Sequence, residues 1–214
     1  MDEWEFHPLT ADRWPDLEQL FGKSGAFYGC WCLWWRVRRA EFNAMKAAER
    51  KEALHHLTEA ARPPGILGYL NGRPVGWCSI GPREEYVALE RSTKWKRLDE
   101  QPVWSVVCFY VAKGYRRMGV TTRLLLAAVE YTRQQGATIV EGYPVEPDSP
   151  DRSDASLYRG AASAFQAAGF VTAQEKPLIV RYLCEVTTQP ETRFFSGQPS
   201  SLPAKKPGFY RQPE

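Results

Sequence analysis

The spacing of apolar residues changes period several times along the chain, and each change marks an element. In "WEFHPLT" (4–10) apolar and polar residues alternate until a proline, which predicts a short first strand. "TADRWPDLEQLFG" (10–22) offers Thr10 as an N-cap and Gly22 just past the end, so a helix is expected there. Between 41 and 60, Phe42, Met45, Leu54 and Leu57 recur near helical spacing with charges between them, which predicts a second, amphipathic helix. His55 and His56 are placed on its polar side. In "GILGYLNGRPVGWCSIG" two apolar runs flank Asn71-Gly72, the dipeptide favoured by a type I′ turn, so antiparallel strands are expected at 65–70 and 74–81. "PVWSVVCFYVA" (102–112) is almost continuously apolar and reads as a central strand buried on both faces. A helix ending at Gly136 follows, then a strand at 137–145, then a helix closed by Gly169, and a late strand at 176–186.

Length and composition narrow this picture. At 214 residues, one domain with an appendage is expected. Residues 187–214 form a Pro/Ser-rich tail in which Phe194, Phe195, Phe209 and Tyr210 are candidate anchors to the domain or to a second subunit, so a homodimer is possible. Basic residues exceed acidic ones by 28 − 25 = 3, a bias too small to argue for nucleic acid and compatible with a small anionic ligand. The five cysteines form no regular, even-numbered framework and read as reduced thiols of a cytoplasmic protein. The opening "MDEWEFHPLT" has neither the basic nor the apolar part of a signal peptide, and no apolar run is long enough to span a membrane.

The chemistry is concentrated where the central strand meets "KGYRRMGVTTRLLLAAVEY". A buried strand, a glycine-containing turn and a helix start present unpaired N–H groups and a partial positive charge, a cradle for phosphate. Gly119 admits a ligand close to the backbone, and Arg116 and Arg117 add charge. The order of elements, with Arg116-Arg117-Met118-Gly119-Val120-Thr121 at the helix head and Gly169-Phe170 at the end of a later helix, resembles the GNAT acyltransferase superfamily. The resemblance spans residues 3–185 as an ordering and 103–135 in detail; Thr121 departs from the Gly or Ala usual at the last position of the signature. It implies an α/β (α+β) GNAT fold over residues 1–186, with a mixed, mostly antiparallel sheet flanked by helices. It also implies acetyl-CoA or another acyl-CoA, its pyrophosphate on residues 116–121 and its pantetheine arm along Phe109, Tyr110 and Val111. The implied activity is N-acetyl transfer to a small-molecule amine by direct attack on the thioester, with a binding module lacking catalysis as the alternative.

Such a reaction needs a route for the amine proton and a donor for the developing oxyanion. Glu141, on an apolar strand with Ile139 and Tyr143 on the same face, is the first candidate base; a structural pairing with an arginine is the other reading. Glu84 and Glu85 are weaker candidates. Phe165 stands where the family often has a proton-donating tyrosine, which leaves Tyr158, Ser163 and Tyr143 as candidate donors. Cys108 lies in an apolar strand, which disfavours the thiolate a nucleophile requires.

The segment "GAFYGCWCLWWRVRR" (25–39) holds three of the eight tryptophans and two of the five cysteines. Cys30 and Cys32 supply too few ligands for a structural zinc, and the segment is short for a membrane anchor. In the GNAT layout the same position borders the acceptor, so Tyr28, Trp31, Trp34 and Trp35 either pack in the core or wall the acceptor site. Trp34 and Trp35 are the expected acceptor contacts, together with Tyr143, and no metal is expected.

Overall fold

The computed structural model describes residues 2–145 and 157–184. The tail at 187–214, with its proposed docking and dimer role, lies outside the described residues. The described chain forms one seven-stranded sheet in the order β1-β2-β3-β4-β5-β7-β6. The strands are β1 (Trp4–Pro8), β2 (Gly65–Leu70), β3 (Arg73–Pro82), β4 (Trp104–Val111), β5 (Ile139–Gly142), β6 (Val171–Gln174) and β7 (Ile179–Leu183). Among the strand pairs of the described residues only β4–β5 is parallel. This is the mixed, mostly antiparallel sheet that the sequence led us to expect.

The hairpin between β2 and β3 turns on Asn71 and Gly72, both at positive φ (51° and 73°), as a type I′ turn requires. The first helix is preceded by a 3-10 turn at Ala11–Arg13 and runs as α1 (Trp14–Phe21), with the Thr10 side chain making no capping hydrogen bond. The expected second helix is two helices, α2 (Arg39–Ala44) and α3 (Ala47–Thr58). Met45 and Lys46 break it with extended backbone, and the Glu49 carboxylate, accepting from the Lys46 backbone N–H, starts α3 afresh. His55 does not sit on a purely polar face: its ring lies 4.6 Å from that of Trp14, while His56 is exposed between Glu52 and Glu59. A short α4 (Val87–Glu90), a long α5 (Val120–Gln134) and α6 (Ala162–Ala167) complete the set.

Two apolar layers clasp the sheet. α1, the 25–38 segment, α2 and α3 cover one face, over Leu67, Trp77, Val107 and Cys108. α5 and α6 cover the other, over Ile66, Cys78, Ile80, Val106 and Phe109. α5 sits close because β3 offers no side chain at Gly76, where a Cβ would come 2.8 Å from Val120 and 3.0 Å from Leu124. That contact fixes the N-terminus of α5 against the end of β4.

β4 carries the feature that makes the site. Opposite β3, Ser79 pairs with Cys108 but Ile80 pairs with Val106, so Val107 is an extra residue, a β-bulge. Val107 and Cys108 therefore both face the α1 side, whereas Val106 and Phe109 face α5. On its other edge β4 pairs with β5 at Trp104, Ser105 and Val106, and the pairing stops where the bulge begins. Beyond it the chain after β5 turns to meet Ala161 through Val145, leaving a gap beside the last residues of β4.

Candidate active site

The gap opens into a cavity of about 900 Å3. Its floor is Cys108, Phe109, Tyr110 and Val111 of β4. One end is built by Tyr115, Arg116, Arg117, Gly119, Val120, Thr121 and Thr122, the turn into α5 and its first residues. The other end is aromatic: Phe27, Tyr28, Trp34 and Trp35 of the 25–38 segment and Phe42 of α2. Tyr158, Gly160, Ala161 and Ala164 close the side from which β5 has withdrawn.

The α5 end has the features of an anion cradle. Gly119 is the N-cap in left-handed conformation (φ 73°, ψ 12°), and no side chain caps the helix. The N–H groups of its first turn are thus left to a ligand, with the helix dipole behind them. Arg117 also takes a positive φ, 64°, which bends the chain tightly around this end. Of the residues assigned there from sequence, Met118 alone is not part of the wall; its side chain is exposed.

The aromatic end is held by packing. Trp34 meets Phe42 edge to face at 5.1 Å, and the Arg39 guanidinium lies over the Trp34 ring, 3.0 Å from its centroid. Trp35 is buried, 5.4 Å from Trp95, and its indole N–H makes no hydrogen bond among the described residues. Trp31 belongs to the core, between Trp14 and Phe21. Phe27 and Tyr28 pack on each other at the mouth, Tyr28 85% exposed. Ala26, Tyr28, Trp31 and Cys32 all take positive φ without being glycine, so tertiary contacts hold this segment in a backbone shape its residues do not favour.

Three thiols lie in the wall. Cys32 Sγ donates to Cys108 Sγ at 3.4 Å and accepts from the Trp77 indole N–H at 3.1 Å. The hydrogen bond to Cys108, helped by burial, pushes the Cys32 thiol well above its ordinary pKa. Its link to Cys32, and then burial, do the same to Cys30. Among the described residues no group of His, Cys, Asp or Glu is arranged to hold a metal ion. No helix there is long and apolar enough to cross a membrane.

Glu141 is placed differently from the sequence expectation. It is fully buried and does not line the cavity. Arg83 Nη1 donates to Glu141 Oε1 at 2.8 Å, the Tyr143 hydroxyl donates to the same oxygen at 2.6 Å, and Arg181 Nε donates to Oε2 at 2.8 Å. Both oxygens are committed, which is the pairing with arginine that the sequence left as the other reading. Tyr143 is likewise withdrawn from the cavity: its hydroxyl also accepts from Arg83 and lies 2.9 Å from the Ser105 hydroxyl. Burial, reinforced by the Glu141 charge, pushes its phenol far above the usual value. Glu85 pairs with Arg36 and Arg62, and Glu84 with Arg97, so neither reaches the cavity. Ser163 is exposed on α6 and is not in the wall, whereas Tyr158 is. Burial raises the Tyr158 pKa, so it stays a neutral phenol at ordinary pH. Phe165 is fully buried, edge to face with Phe109 and Phe170.

A bulged central strand parting from its parallel neighbour, beside an uncapped helix start with an Arg-Arg-Met-Gly turn, matches a known family. The family model described as "Acetyltransferase (GNAT) family" matches residues 29–159. The chain belongs to the GNAT acetyltransferase family. No curated protein matches it. Among solved structures, the GNAT chain is similar in fold to AAC(6')-Ib in complex with ribostamycin and coenzyme A, at TM-score 0.51 and 20% identity, covering 89% of this chain and 99% of that one. It is similar to an uncharacterized protein from Bacillus halodurans at TM-score 0.53 and 16% identity, covering 86% of each chain. It is also similar to the aminoglycoside N-acetyltransferase AAC(6')-Iy in complex with CoA, at TM-score 0.50 and 13% identity, covering 81% of this chain and 91% of that one.

Proposed function

We propose that this chain is an N-acetyltransferase that takes acetyl-CoA, or another acyl-CoA, and acylates the amine of a small molecule. The observation that carries the proposal is a single cavity joining the uncapped start of α5 to the unpaired edge of β4 and on to an aromatic chamber. The residues fit the group. The amides of 116–121 would hold its pyrophosphate with Arg116 and Arg117 beside them, and Phe109, Tyr110 and Val111 would flank its pantetheine arm. When bound, acyl-CoA supplies an activated thioester carbonyl. The chain's own part is to position and to exclude water: β4 backbone N–H groups near Tyr110 are the oxyanion donors, and Trp34 and Trp35 wall the acceptor. Tyr158, kept protonated by burial, is the proton donor to the departing sulfur. The solved relatives that hold ribostamycin or kanamycin give precedent for a small-molecule acceptor on this fold.

A second reading, acyl-CoA binding without turnover, is favoured by Phe165, which has no proton to give. Calorimetry with coenzyme A, followed by a thiol-release assay over a panel of amines, separates the two. Binding with amine-dependent thiol release is the expected result. Binding without release on any acceptor supports the second reading, and absence of binding removes both.

A further inference from the structure

Tyr158 stands on little structure of its own. It is the middle residue of a single 3-10 turn, Leu157–Arg159, and one such turn is too short to fix a side chain by its own hydrogen bonds. A proton donor has to lie within hydrogen-bond reach of the atom it serves, and an error of about 1 Å in such placement costs on the order of 100-fold in rate. The turn is therefore held from outside. The Val145 N–H donates to the Gly160 carbonyl at 2.9 Å. Gly160, at φ 82°, lies so close to the wall that a Cβ would come 2.9 Å from Phe165 and 3.0 Å from Phe109.

The third hold is a side chain. Tyr158 and Gly160 line the cavity, but Arg159 between them does not. Arg159 Nη1 donates to the Tyr143 carbonyl at 3.0 Å and, more weakly, to the Pro144 carbonyl at 3.4 Å. Its guanidinium lies over the Trp95 ring, 4.9 Å from the centroid. The two carbonyls come just after β5, where its pairing with β4 has ended. Trp95 is fixed in turn, because its carbonyl accepts from Arg83 Nη2 at 2.6 Å. Arg159 thus fastens the Tyr158 turn to the rim of the gap. It also brings charge. Burial raises the Tyr158 pKa, and the Arg159 charge opposes that rise, as does Arg39 of α2; Cys108 of β4 and Cys30 of the 25–38 segment act with burial. A phenol that gives its proton to sulfur becomes a phenolate for a moment, and a cation on the next residue stabilises that state.

We propose that Arg159 is a positioning residue of the reaction, one that ties the Tyr158 turn to the backbone beyond β5 and sets a positive charge beside the phenol. This rests on the acyltransfer reading above, with Tyr158 as its proton donor. The step balances: the nitrogen lone pair forms the C–N bond, the C–S pair leaves on sulfur and takes the Tyr158 proton, and the proton shed by the nitrogen restores the phenol. Arg159 touches none of the reacting atoms and acts only through Tyr158.

The test is a double-mutant cycle, read by thiol release with acetyl-CoA and an amine that the wild type turns over. Arg159→Gln should lower kcat about tenfold, while the KM for acetyl-CoA and the coenzyme A affinity by calorimetry stay within about twofold. Arg159→Lys, which keeps the charge without the planar fork, should lose only about threefold. In a Tyr158→Phe background both substitutions should cost less than about twofold, because there is no longer a phenol to place. The lysine series alone gives the same reading if Arg159→Gln does not fold. A residue that merely braced the fold would lower kcat by one factor in both backgrounds, and that result overturns the inference. A second readout needs no turnover. In protein carrying carbon-13 at tyrosine Cζ, the resonance that Tyr158→Phe removes should titrate at higher pH in Arg159→Gln than in the wild type, since the phenolate has lost a neighbouring cation. An unchanged midpoint likewise overturns the inference. Full kcat in Tyr158→Phe removes Tyr158 as donor and this inference with it, and leaves acyl transfer standing. Coenzyme A binding without thiol release from any amine overturns both.

Discussion

β4 and β5 make two contrasting environments a few residues apart. Where they pair, Glu141 is sealed among Arg83, Arg181 and Tyr143, and Arg83 spends its remaining donors on Glu90 and the Trp95 carbonyl. Where they part, the cavity wall has aromatic rings, thiols and two arginines, and no described carboxylate. Among the described residues, acids thus gather where they tie strands together and none lines the cavity. A buried carboxylate is a sign of catalysis only if some lone pair faces the site. Here both oxygens of Glu141 face inward to arginine, and its work is to tie β5 to β7 and to the turn that follows β3.

The largest expected effect tests the paired side. Glu141→Gln should destabilise the fold by about 3 kcal/mol or more, read from the urea midpoint, because it removes the buried negative charge that Arg83 and Arg181 share. Thiol release per folded molecule should change less than about threefold, within the spread of an indirect effect. A loss of turnover with stability intact would return Glu141 to the reaction. Tyr158→Phe tests the parted side and should lower kcat about 100-fold with little loss of stability. The sign of the pH effect follows from burial, which raises the Tyr158 pKa. The phenol is present through neutral pH and is lost only as pH rises past that raised value. The wild type should therefore lose kcat at strongly alkaline pH, and the variant should lack that limb.

Gly119→Val should weaken coenzyme A binding about tenfold by calorimetry, since a β-branched residue resists φ 73° and would shift the first turn of α5. Smallest is Asp99→Asn. The hydrogen bond from Arg181 holds the Asp99 carboxyl below its ordinary value. Its stabilisation is present above the ordinary carboxylate pKa and fades as the pH falls through the depressed one. The variant should differ from wild type only slightly in melting temperature at pH 7, and the two should converge in acid.

Local chemistry was readable from sequence and non-local chemistry was not. Asn71-Gly72, the apolar run of β4 and the glycine before α5 each announce their element within a few residues, and so the hairpin, the central strand and the glycine turn into α5 were all foreseen. The break at Met45 was missed because its neighbours keep helical spacing on both sides of it. β6 was missed because its side chains are mostly exposed and show no buried alternation. The fate of Glu141 depends on Arg83 and Arg181, which lie 58 and 40 residues away. Tyr158 could be named as a candidate but not ranked, since nothing near it in sequence tells that the 3-10 turn at 157–159 folds back onto β4.

Val107 has a consequence for how such a molecule could arise. Deleting it would bring β4 back into step with β3, leave Cys108 and the later side chains on the faces they already occupy, and let the strand continue alongside its parallel neighbour. The hollow would zip shut without any change at the residues that line it. A single surplus amino acid, inserted once, is enough to separate a closed sheet from one with a doorway.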